Sequence, residues 1–132
     1  MRVYRVYLSS SYYTNPWFNN AYIPTGASGT TLGTGVANTN TIVIKQGAGY
    51  YCAQFCVDLE LGGRKDWFLP SKDELNKLYL NKTALPDIEQ AYYWSSSEAG
   101  SNTAWIQSFV NGAQSTYDKN GKTFFIRPFR SF

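Results

Sequence analysis

Histidine does not occur in this chain of 132 residues. That absence excludes Ser-His-Asp and Cys-His catalysis, histidine-ligated zinc and any pH switch built on imidazole. Cysteine is almost as scarce, with Cys52 and Cys56 alone. They lie one helical turn apart and so share a face, where a disulfide is geometrically awkward. No further Cys or His remains to complete a zinc site, so both are expected as buried free thiols. Charge is thin: 16% of residues, with 12 Lys and Arg against 9 Asp and Glu for a net +3. The cations are scattered, which is no nucleic-acid footprint. No apolar run approaches the roughly 18 residues of a membrane span, so no membrane insertion is expected. The opening Met1-Arg2-Val3-Tyr4-Arg5 lacks the apolar core of a secretion signal. The chain is expected to stay inside, to leave by a signal-free route, or to be a fragment of a longer protein.

What is present is aromatic. Eight Phe, 11 Tyr and 4 Trp sit in a chain that is 43% hydrophobic, enough to build one core, so residues 1–132 read as a single domain. Residues 2–8 alternate as a strand does. Residues 9–37 are rich in Ser, Thr, Asn, Gly and Tyr and read as irregular, packed down by Tyr12, Tyr13, Trp17, Phe18 and Tyr22. Asn38 and Thr39 are candidate caps for a short helix carrying Ile42, Val43 and Ile44. A second helix is expected from about 50 to 61, closed by Gly62-Gly63. Trp67-Phe68-Leu69 reads as a short strand. Ser71-Lys72-Asp73-Glu74 is a capping box that opens a helix to about Asn81. Strands then follow at 92–96, 104–110, 113–118 and 122–130, with Asn111-Gly112 and Asn120-Gly121 as tight turns. Helices before an antiparallel meander make the class α+β.

Several spaced motifs stand in register: Gly62-Gly63, then Asp66-Trp67-Phe68-Leu69-Pro70-Ser71-Lys72-Asp73-Glu74-Leu75, then Tyr93-Trp94-Ser95-Ser96-Ser97-Glu98. Ala104-Trp105, Phe109, Asn111-Gly112 and Ile126-Arg127-Pro128-Phe129-Arg130-Ser131-Phe132 follow. From about Thr25 to Phe132 the chain resembles the Lcl C-terminal domain family, a branch of the C-type lectin fold. The resemblance implies two main helices, a small antiparallel sheet and terminal strands paired with each other. It implies a binding module on a cell or virion surface, whose ligand is a protein or a glycan. It also points to the variable proteins of diversity-generating retroelements, in which a C-terminal stretch is rewritten at adenines. The Glu-Pro-Asn, Gln-Pro-Asp and Trp-Asn-Asp triplets of calcium-dependent lectins do not occur. The acids are dispersed, so no calcium site, metal or other cofactor is expected.

The candidate binding region is 99–125, where Asp118, Lys119 and Lys122 are the charged residues. Small polar groups with a few aromatic anchors are what recognition surfaces use. By period two, Trp105, Gln107 and Phe109 take one face of their strand, expected to be core, and Ile106, Ser108 and Val110 the other, expected to meet water. Under the retroelement analogy, an AAC or AAT codon randomised at its adenines never encodes Trp, Gln, Glu, Lys or Met. Trp105, Gln107, Gln114, Lys119 and Lys122 are then framework. The candidate ligand-binding positions are Ala99, Gly100, Asn102, Thr103, Ile106, Ser108, Val110, Ala113, Ser115, Thr116, Tyr117, Asp118, Asn120, Thr123, Phe124 and Phe125. Trp67, Trp94 and Trp105 are expected to form a rigid cluster beneath them. Arg127 and Arg130 are expected to pair with Asp66, Glu98 or Asp87. Ser95-Ser96-Ser97 beside Glu98 lacks the base and oxyanion donors of a nucleophile site, and Glu98 with Asp118 makes a poor glycosidase pair. No enzyme is expected. The other reading is a structural or assembly domain whose sheet face joins subunits.

Overall fold

The computed structural model describes residues 4–6, 13–84 and 88–131. In chain order these form β1 (Tyr4–Val6), β2 (Tyr13–Thr14), α1 (Gly35–Gln46), α2 (Cys52–Asp58), α3 (Lys72–Leu80), β3 (Tyr92–Glu98), β4 (Thr103–Ser108), β5 (Gln114–Asp118), β6 (Phe125–Ile126) and β7 (Phe129–Ser131). The architecture is α+β. β1 pairs antiparallel with β7 in a two-stranded ribbon, so the terminal strands meet as expected. The rest of the strands form a five-stranded sheet in the order β2-β6-β3-β4-β5.

Two expected elements change in the folded chain. The strand anticipated over 122–130 divides into β6, which lies parallel to β3, and β7, which leaves for the ribbon. Pro128 stands between them and has no N–H to give a ladder. The turn at Asn111-Gly112 is longer than two residues. Ser108 N–H donates to the Ala113 carbonyl at 2.9 Å, leaving 109–112 as the loop. That loop lets Phe109 drop fully into the core. Trp67-Phe68-Leu69 forms no strand beyond a single bridge from Phe68 to Phe129. Gly62-Gly63 does not close α2, which ends at Asp58. It turns the chain between Leu61 and Arg64 with φ of 59° and 76°, the left-handed pair that glycine adopts without strain.

The helices are set by one buried carboxylate. The capping box forms: Ser71 N–H donates to Glu74 Oε1 at 2.8 Å, and Glu74 N–H reaches Ser71 Oγ at 3.4 Å. Glu74 also accepts from Gly33 N–H and Gly35 N–H, each at 3.1 Å. It therefore caps α1 as well as its own helix, taking up donors that would otherwise be orphaned. A Cβ on Gly35 would collide with this carboxylate and with Phe68. Asn38 and Thr39 are not caps. They lie inside α1, buried, where Asn38 Nδ2 donates to the Gly29 carbonyl at 2.7 Å and Thr39 Oγ1 to the Gly35 carbonyl at 2.7 Å.

Two apolar clusters fill the interior. One joins Trp17, Phe18, Ile42, Tyr51, Cys52, Cys56, Leu69, Trp94, Ile106 and Ile126. The other joins Phe68, Leu75, Leu78, Tyr93, Phe109 and Phe129. Trp17 and Phe18 anchor the long irregular segment as expected, and Trp17 Nε1 donates to the Ser95 carbonyl at 2.8 Å. Tyr22 is the exception, at 44% exposure. Tyr12 lies outside the described residues. Cys52 and Cys56 are buried free thiols. Burial pushes both thiols well up from the usual range, which keeps them protonated and unreactive.

Candidate functional site

β4 is an interior strand, and this decides what its two faces see. Trp94 pairs with Ile106 and Tyr93 with Gln107, so Trp94 and Ile106 share one face and Tyr93 and Gln107 the other. On the second face, Gln107 is fully buried and donates to Asn76 Oδ1 of α3 at 2.8 Å. Trp105 is half-buried, with the Lys72 ammonium 4.0 Å over its ring. Phe109 is in the core, as expected. The first face departs from expectation. Ile106 is 4% exposed and Ser108 3%, while Val110, already in the loop, is 60% exposed. Ile106 packs into the first cluster beside Trp94. Neither Ile106 nor Ser108 meets water, and both leave the contact set. Nor do Trp67, Trp94 and Trp105 make one cluster, because Trp94 and Trp105 occupy opposite faces of the sheet.

The remaining candidates divide by place. Ala99, Asn102, Val110, Ala113, Ser115, Thr116, Tyr117, Asn120 and Thr123 are exposed, and Gly100, Thr103, Asp118, Phe124 and Phe125 are half-buried. Val110 and Ala113 lie at the hairpin end of β4 and β5. Ala99, Gly100, Asn102 and Asn120 lie at the opposite end, about 17–20 Å away along the strand. Phe125 turns to the second cluster, its ring 5.8 Å from Tyr93.

The strongest feature is an aromatic patch on the Trp94 face. Phe124 is its hub: its ring lies 4.7 Å from Tyr117 at 89°, 5.8 Å from Tyr92 at 53° and 5.1 Å from Trp94 at 81°. These are the tilted and edge-on geometries that ring quadrupoles favour. Tyr92 and Tyr117 are 48% and 49% exposed, while Trp94 is fully buried beneath. Tyr92 precedes the 99–125 region and was not among the candidates. Period two from Trp94 is the signal that places it on this face. Tyr117 arrives by pairing with Ala104, whose small side chain leaves room beside it.

A buried ion pair holds the loops around the patch. Lys119, fully buried, donates to Glu98 Oε2 at 2.9 Å and to the Ile23 carbonyl at 3.2 Å, with Nζ 4.7 Å over the Trp17 ring. Glu98 also accepts from Thr25 N–H at 2.8 Å and Thr25 Oγ1 at 2.6 Å. Burial works to raise the Glu98 pKa, but the hydrogen bonds from Thr25 and Lys119 outweigh it and hold the carboxyl below its ordinary value. Nearby, the Tyr22 hydroxyl donates to Asp118 Oδ1 at 2.6 Å. That bond raises the Tyr22 pKa and, together with the Asn120 N–H, lowers that of Asp118.

The other expectations resolve residue by residue. Arg130 Nε bridges Asp66 at 2.6 Å, whereas Glu98 takes Lys119 instead of an arginine, and Asp87 lies outside the described residues. The hydroxyls of Ser95 and Ser97 donate to the carbonyls of Trp105 and Gly29 at 2.8 and 2.7 Å, so both serve the frame. Among the described residues, no three Cys, Asp or Glu side chains group closely enough to hold a metal ion. No described helix is long and apolar enough to cross a membrane.

No curated protein matches the sequence. A family model does match, over residues 17–130, which takes in every helix and strand described here except β1, β2 and the last residue of β7. The chain belongs to the Lcl C-terminal domain family.

Proposed function

We propose that this domain is a non-enzymatic recognition module of C-type lectin-like fold. It binds a protein or glycan ligand at a cell or virion surface through the aromatic patch and the loops beside it. The observation that carries the reading is the patch itself: Tyr92 and Tyr117 offered to solvent around a half-buried Phe124, on the same sheet face as the buried Trp94 and Ile106. Exposed rings on a rigid base supply contact area at low entropic cost. The polar surround of Asn102, Ser115 and Asn120 supplies adaptable hydrogen bonds. Its charge is thin: Lys119 is buried on Glu98, which leaves Asp118 and Lys122 as the charged residues of 99–125 toward solvent.

The relation to retroelement variable proteins draws support from the residues that adenine-directed rewriting cannot produce. Gln107 and Lys119 are fully buried, and Gln114 Nε2 donates to the Lys72 carbonyl at 2.9 Å. They belong to the frame, while Tyr117, Asn120 and Thr123 stand outside it. Lys122, exposed, does not follow this pattern.

The test is a combined Tyr92→Ser, Ser115→Ala, Tyr117→Ser variant, measured for melting, oligomer size and binding to arrays of surface proteins and glycans. A recognition face keeps its melting point and oligomeric state and loses array binding. Loss of an oligomer with array binding unchanged would favour an assembly domain.

A further inference from the structure

The centre of the patch is built unlike its surroundings. Phe124 ends an irregular segment whose start is tied down: Lys119 N–H donates to Asn102 at 2.9 Å and Gly121 N–H to Asp118 at 3.1 Å. Beneath Phe124, the fully buried Trp94 carries an indole N–H with no acceptor among the described residues. Buried donors are rarely left unmet, and each one bears a desolvation cost. The geometry locates this donor. A Cβ on Gly121 would stand 3.3 Å from Trp94 Cζ2 and 2.9 Å from Phe124 Cε2. Cζ2 and Nε1 are bonded to the same indole carbon, so the donor is next to the indole atom that Gly121 approaches.

We infer that position 124 is the specificity-determining position of this face. Phe124 plugs a pocket floored by Trp94 and walled by Tyr92 and Tyr117, and a smaller residue there opens it to a neutral planar ring carrying a hydrogen-bond acceptor. The inference rests on the recognition reading above and deepens it. Three aromatic walls favour a ring. None of the three lining side chains is an acidic or basic residue, which favours a neutral one. The Trp94 N–H, a donor only, selects an acceptor that the Phe124 ring itself does not provide. An apolar cavity the size of a benzene ring in a folded protein binds such rings. Phe124 stands among the positions that adenine rewriting reaches, whereas a tryptophan such as Trp94 stands outside them.

The experiment compares acetophenone with α-methylstyrene, which has nearly the same shape but no acceptor. Both are titrated by calorimetry into the full chain as wild type, Phe124→Ala and Phe124→Ala/Trp94→Phe, with folding checked by circular dichroism. Wild type is expected to bind neither. Phe124→Ala is expected to bind both, acetophenone about five-fold tighter, the worth of one neutral hydrogen bond. With acetophenone alone, the Trp94 indole N–H resonance shifts. The double variant binds both equally. If Phe124→Ala does not fold, Phe124→Leu carries the same comparison. A folded variant that binds neither probe, or both alike with Trp94 present, overturns the inference. So does failure of both single variants to fold, which would make the ring a structural pillar. Because these probes need no natural partner, failure here leaves the recognition reading standing, and loss of that reading leaves the pocket measurable.

Discussion

Two buried carboxylates hold the two halves of this domain, and they do so by different means. Glu74 is fully buried and takes the backbone N–H groups of Gly33, Gly35 and Ser71. These partners are all main chain, so it locks α1 and α3 together largely regardless of neighbouring side chains. Glu98 sits under the loops of the aromatic face and is held by the Lys119 ammonium and by Thr25. That attachment depends on a specific side chain. The helical half is thus a backbone-fastened scaffold. The half that carries the aromatic patch is fastened by a buried ion pair together with side-chain bonds such as Trp17 to the Ser95 carbonyl and Gln114 to the Lys72 carbonyl.

The largest expected effect falls on the scaffold. Glu74→Ala leaves three backbone donors buried and unmet, which at ~1–3 kcal/mol each costs at least about 3 kcal/mol in urea denaturation. A loss under about 1 kcal/mol would break the contrast. Next comes Lys119→Met, which strands Glu98 in a largely buried site and costs about 3 kcal/mol. Adding Glu98→Gln is expected to recover part of that loss, since it removes the stranded charge. The same site has a pH signature. The folded Glu98 pKa lies below its unfolded value near ~4.3, so its contribution is present above that pH. It is lost as pH falls through the folded value, and Glu98→Gln flattens the acid limb of the stability curve. The smallest effect is expected at the surface. Tyr22→Phe leaves melting unchanged but lets the Asp118 pKa rise toward the ordinary carboxylate range, read by NMR titration.

Local chemistry was legible where its partners are near in sequence. The capping box at Ser71 and Glu74, the shared face of Cys52 and Cys56, and the β4–β5 hairpin all follow from short spacings. The second task of Glu74 was not legible, because Gly33 and Gly35 come to it from about 40 residues away. Asn38 and Thr39 have the chemistry of caps, and distant partners at Gly29 and Leu69 claimed them inside a helix that starts earlier. In the candidate site, alternation along 104–110 sorted side chains between two faces and said nothing of what covers each. Alternation therefore sends Ile106 and Ser108 to water, whereas Ile106 packs into the first cluster and Ser108 is buried. Tyr92 was passed over because it contacts Phe124 only once β6 lies beside β3.

The sequence by itself determined the absence of histidine chemistry, the α+β order of elements, the helix start at Ser71 and the scarcity of charge over 99–125. Each of these is set by composition or by residues within a turn or two of one another. The tertiary structure decided that both faces of β4 are covered, that the final strand splits at Pro128, and that Phe124, Tyr92 and Tyr117 meet over Trp94. The reason is that burial belongs to pairs of surfaces. A side chain's exposure depends on the segment laid against it, and no periodicity within one strand encodes that segment.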